Sequence, residues 1–175
     1  MSHSAQYVPG PAGGARVEEH GEKRTLILVR QLPHPPEKVW MAITQPEHVR
    51  EWAPFDVDGD LARVGATVRL TWLGTGHVSE TTVTRAEPPR VLAYNDIRWE
   101  LEPSEGGTHL TLWHSINRRY VTWGAAGWHI SLDVLDRLLT GNPIARVAGP
   151  DAMHFPGFQR LVLEYGSQFG IEPPK

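Results

Sequence analysis

His114 is the residue of this chain best placed to do chemistry. It falls on the apolar register of an alternating stretch, between Leu112 and Ile116. A histidine there can hydrogen-bond a ligand or move a proton near neutral pH. It can equally be a neutral core residue, bonded to a backbone carbonyl or to a side chain of a neighbouring helix. The second reading is favoured, because no catalytic partner stands out. Tyr94 and Glu100 are conceivable helpers, but alternation points Glu100 outward. His129 and Asp133 are four apart and share a helix face, where a mixed pair more often bonds to itself than chelates a metal. Asp56 to Asp60 (DVDGD) resembles the start of a calcium loop, yet Leu61 stands where the loop needs glycine and Thr67 where it needs glutamate, so it reads as a solvated turn bent at Gly59. Gly74 to His77 (GTGH) is a hairpin turn, not a phosphate cradle. Ser79, Ser115 and Ser131 lack the context of a nucleophile elbow.

Composition narrows the classes further. The chain has 175 residues, no cysteine and a formal charge of −3. A thiolate nucleophile, a disulfide framework and a cysteine zinc site are therefore excluded. The scattered lysines and arginines form no stripe that would meet phosphates, so no nucleic-acid partner is expected. The lack of cysteine suits a reducing cytoplasm, and no apolar run has the length of a membrane span, which argues against a membrane partner. Seven tryptophans call for a large apolar interior or an aromatic cavity within one. Residues 1–14, rich in Gly, Pro and Ser, read as a flexible tail, and 15–175 as one domain.

These residues must be positioned by a sheet and helices. Arg24 to Leu32 is a strand, with a shorter one at Ala15–Glu19. Next come two short helices, each started by a proline (Pro36, Pro46) and followed by an acid (Glu37, Glu47). Alternation then predicts strands over Ala66–Leu73, His77–Glu87, Arg90–Asn95, around Trp99 and around Leu112. Their order suggests an antiparallel meander. Trp128, Leu132, Leu135 and Leu139 recur at helical spacing in a long helix ending at Gly141, and Phe158–Phe169 forms a last amphipathic helix.

LPHPPEKVWMAITQPEHVREW, VLAYNDIRWELEPSEGGTHLTLWHS and GWHISLDVLDRLLTG, in this order, resemble the START/SRPBCC superfamily, in its branch similar to the activator of the 90-kDa heat-shock chaperone ATPase. The likeness runs from about Arg24 to Gly141. It implies an α+β helix-grip fold, a curved antiparallel sheet wrapped around the long C-terminal helix, often with an apolar cavity between them. The inward register then assigns Leu70, Trp72, Trp99, Leu101, Leu112 and His114 to the cavity wall, facing Trp128 and Leu132, with Trp52 and Phe55 at the mouth. Trp40 is expected to fill core. The function implied is binding of a hydrophobic small molecule, with no catalytic residue, metal or cofactor assigned. A cyclase or dehydratase using the same cavity and a chaperone co-regulator, linked to stress response, are the alternatives, and a homodimer stays open.

Overall fold

The computed structural model describes residues 7–174. Eight strands make one open antiparallel sheet: β1 (Ala15–His20), β2 (Lys23–Leu32), β3 (Phe55–Asp58), β4 (Thr67–Trp72), β5 (Val78–Glu87), β6 (Val91–Tyr94), β7 (Ile97–Ser104) and β8 (Gly107–Asn117). Their spatial order is β1-β2-β8-β7-β6-β5-β4-β3. β3 to β8 thus form the expected meander, and β2 returns to lie beside β8. Register sets the inward rows. Leu28, Leu112 and Trp99 are directly opposite one another, as are Leu26, His114 and Ile97. One face of β7 and of β8 is apolar, so a slip of one residue there would expose the whole row.

β3 differs from expectation. Asp56 and Asp58 belong to a strand paired with β4, not to a solvated turn. Aspartate is a poor strand former, but Phe55 and Val57 pair with Trp72 and Leu70 and tertiary packing overrides the local preference. The bend itself is where expected, at Gly59, with φ 126°.

α1 (Pro36–Thr44) and α2 (Pro46–Val49) form the bent cap after β2. Each has proline in its first turn, where a missing N–H is harmless. Gln45 ends one helix and starts the other, in extended backbone (φ −82°, ψ 123°) that the following Pro46 enforces. After a single 3-10 turn, α3 (Val121–Thr140) runs for 20 residues against the sheet and stops at Gly141 in left-handed geometry. A short α4 (Pro150–Met153) and α5 (Phe158–Phe169) follow, and α5 packs on α3. Among the described residues no helix is long and apolar enough to cross a membrane.

The tail expected over 1–14 falls partly on residues 1–6, outside the described residues. Residues 7–14 are docked. Tyr7 is 5% exposed, its hydroxyl bonds the Asp133 carboxylate, and the Arg137 guanidinium lies over its ring. Ala12 N–H donates to Glu164, and Gln168 donates to the Ala12 carbonyl. The Gly- and Pro-rich composition hid one aromatic anchor. Burying such a side chain contributes about 2 kcal/mol, and the strap's hydrogen bonds add to that. Deleting residues 1–14 is therefore expected to lower the melting temperature by roughly 4–8 °C in a chain of this size. Differential scanning calorimetry checks this; a melting curve that does not move would show the strap to be dispensable.

Candidate ligand-binding cleft

The inward rows do not enclose a cavity along their whole length. Trp52 and Trp99 are each 1% exposed and meet edge to face, with ring centres 5.9 Å apart. Trp128 completes the cluster at 5.6 Å from Trp99 and 6.5 Å from Trp52. Phe55 packs against Trp72, Tyr94 and Trp128. The polar ends are satisfied internally: Trp52 Nε1–H donates to the Ala42 carbonyl at 2.9 Å, and Trp99 Nε1–H to the Tyr94 hydroxyl at 3.2 Å. Burial raises the Tyr94 pKa, so that hydroxyl stays neutral. Leu70, Leu101, Leu112 and Leu132 are fully buried in the same core. Seven of the residues assigned to the cavity wall or mouth therefore fill the interior instead: Trp52, Phe55, Leu70, Trp99, Leu101, Leu112 and Leu132. Alternation identifies the inward face correctly, but large aromatic side chains from both layers meet and close the space. Trp40 fills core as expected.

The remaining three, Trp72, His114 and Trp128, stand together at one end of this core, where a cleft opens. Its volume is about 330 Å³, within the range of small-molecule sites. The first half of α3 supplies Trp123, Gly124, Gly127 and Trp128, and β8 supplies His114 and Ile116. Leu73 and Trp72 come from the end of β4, and Gly149, Met153 and Phe158 from the segment around α4. A second hollow beside Thr75 and His77 adjoins it and shares Trp72, Leu73 and His114. Sequence reasoning missed the α3 glycines and the α4 segment. Two glycines three apart within WGAAGW were the available signal: Gly124 lets Ile116 of β8 approach the helix, and Gly127 leaves open space beside it.

One edge of the cleft closes where two backbones touch. A Cβ on Gly74 would lie 2.9 Å from Gly149 Cα, and one on Gly149 would lie 2.8 Å from Gly74 N. Both have positive φ, 93° and 62°, as glycine alone tolerates easily. GTGH is thus a hairpin turn whose first glycine lets the α4 segment approach.

His114 is 8% exposed. Its Nδ1 accepts a hydrogen bond from Trp128 Nε1–H at 2.9 Å. Its ring stacks on Trp72, the planes 7° apart and the centres 5.7 Å. Burial pushes its pKa down to about 4, with Asp96 acting against the shift and Lys23 with it. His114 is therefore neutral at physiological pH, bonded to a side chain of the long helix. No charged side chain lines the cleft among the described residues.

His129 and Asp133 do not join the cleft. His129 Nε2 lies 3.6 Å from the Asp133 carboxylate, and its Nδ1 is 2.7 Å from the Tyr165 hydroxyl. Burial lowers its pKa, opposed by Asp133. This pair ties α3 to α5 and, through Tyr7, to the N-terminal strap.

An open antiparallel sheet gripping one long helix, with extra helices outside it, places the protein in the helix-grip class of the START/SRPBCC superfamily. Within that class the chain belongs to the family of Activator of Hsp90 ATPase homolog 1-like proteins, whose model matches residues 33–140, more than half of its length. Among solved structures, CalU16 from Micromonospora echinospora is 26% identical in its solution form, matches 93% of each chain and superposes with a TM-score of 0.64. Protein MLL2253 from Mesorhizobium loti is 28% identical over 69% of this chain and 100% of its own, with a TM-score of 0.60. EF2215 from Enterococcus faecalis, described as a conserved protein of unknown function, shares the fold at 18% identity, covering 88% of this chain and 91% of its own, with a TM-score of 0.65. No curated protein sequence matches the chain.

Proposed function

We propose that the protein binds a hydrophobic small molecule in the cleft between the end of β4, β8, the first half of α3 and the α4 segment. The observation that carries this reading is an apolar hollow of about 330 Å³ with one deeply buried polar residue, His114, in its wall. The ligand site is thus narrower than the sheet–helix interior: Trp72, His114, Trp123 and Trp128 line it, and Trp52 and Trp99 pack against Trp128 from the core side. Catalysis in the same cleft would need a second positioned polar group; Tyr120 at the rim, or Thr75 and His77 in the adjoining hollow, are the side chains near enough to supply it.

Gly127 provides the test. A Cβ added there would meet nothing within 4 Å, because it would enter the cleft. Leucine at this position fills the space and also raises helix propensity by roughly 0.8 kcal/mol over glycine. Gly127→Leu is expected to melt no lower than the wild type while losing at least about tenfold in affinity for an apolar ligand, an effect of roughly 1.4 kcal/mol. Native mass spectrometry of the gently purified wild type, followed by denaturing extraction, supplies the ligand. A released species of a few hundred daltons that is missing from Gly127→Leu supports the site; equal occupancy in both proteins would remove the cleft from consideration.

A further inference from the structure

We infer that the cleft selects uncharged, planar aromatic molecules carrying a hydrogen-bond acceptor such as a ketone, with His114 as the specificity residue and Trp128 as the residue that sets its tautomer. This rests on the reading of the cleft as a ligand site. An indole N–H can only donate, so the contact from Trp128 Nε1 obliges His114 Nδ1 to be unprotonated. The neutral ring must then carry its proton on Nε2. Among the described residues no group bonds that nitrogen, and it is not one of the polar atoms sealed in without a partner. Nε2–H therefore reaches the cleft that the ring lines. The polar atom that His114 presents to the site is a fixed donor. An unpartnered donor there gains most from a ligand acceptor, and a ligand that offers only N–H groups leaves both sides unpaired. No carboxylate lines the cleft to neutralise an ammonium, and no lysine or arginine to neutralise a carboxylate. Flatness follows from the walls. Trp72, Trp123 and Trp128 present indole rings, and Gly127 leaves its side of α3 without a side chain.

The test uses three naphthalenes of nearly equal shape: 2-acetylnaphthalene, its alkene isostere 2-isopropenylnaphthalene, and 1-(2-naphthyl)ethylammonium. Affinities are measured by calorimetry on the full chain at neutral pH. The ketone is expected to bind about fivefold to tenfold more tightly than the alkene, the gain from one well-placed hydrogen bond, and the ammonium most weakly. In His114→Phe the ketone preference should vanish while the alkene still binds. His114→Gln, whose amide both donates and accepts, should restore part of it. Nitrogen NMR of the wild type should show a protonated Nε2 and a bare Nδ1 on His114, which keeps the inference testable if a variant does not fold. Equal affinity for ketone and alkene, the opposite tautomer, or tighter binding of the ammonium through the indole faces would overturn the selectivity and leave the cleft a hydrophobic-ligand site. Failure of all three compounds to bind would overturn both.

Discussion

Trp99→Ala is expected to lower stability by about 3–5 kcal/mol, the usual effect of truncating a buried tryptophan. That is a large share of the roughly 5–15 kcal/mol that holds a domain folded. The indole fills the space between Trp52 and Trp128, and its N–H occupies the buried Tyr94 hydroxyl. Truncation leaves a void and an unpaired polar group together. Because Trp99 lies behind the cleft wall, ligand affinity in the fraction that stays folded should change by less than about threefold, under 1 kcal/mol. Trp128→Ala differs: it removes part of the wall and the donor to His114, so stability and affinity should fall together. Urea unfolding and a binding titration on both variants distinguish the two positions. A stable Trp99→Ala that no longer binds would return Trp99 to the binding surface and show that the interior opens.

The contrast marks what the sequence could and could not specify. The rows Leu28–Leu112–Trp99 and Leu26–His114–Ile97 follow from alternation, and the paired prolines at 36 and 46 announce the bent cap. Periodicity reports which way a side chain points. It does not report whether the chain opposite is near enough to touch it. Trp52, Trp99 and Phe55 point inward as expected, yet they meet and exclude the cavity they were expected to line. The cleft forms where a side chain is missing, at Gly127, and where a nonperiodic segment comes back over the sheet at Gly149. Absence of a side chain leaves no hydrophobic pattern, and the Gly74–Gly149 approach joins residues far apart in the chain. Tyr7 was hidden for a related reason, since one anchor in a Gly- and Pro-rich stretch does not change its composition.

His114 also couples stability to pH, and the expected loss is about 3 kcal/mol between pH 6.5 and pH 4. Its pKa is 6.5 in an unfolded chain and about 4 in the fold, lowered mainly by burial. As pH falls through 6.5 the unfolded state takes up a proton that the folded state refuses until about pH 4. Stability supplied by the neutral ring is thus complete above pH 6.5, declines as pH drops, and is gone below about pH 4. The shift, multiplied by about 1.4 kcal/mol per unit, gives the magnitude stated. The physical cause is visible in the site. A protonated His114 would present two donors, so Trp128 Nε1–H would lose its acceptor, and a charge would sit between two indole rings with little water. His129 is also depressed by burial and contributes in the same direction, so the wild type alone cannot apportion the effect. The difference between wild type and His114→Gln can, because glutamine still accepts from Trp128 but does not titrate. Urea unfolding from pH 7.5 to 4 should show the two proteins converging as the wild type weakens, while ligand affinity between pH 5.5 and 8 stays flat. Parallel stability curves would mean that His114 keeps an ordinary pKa, hydrated through the cleft. In that case Nε2 would meet water before any ligand, and the selectivity for acceptors would shrink to what a solvent-exposed donor can give.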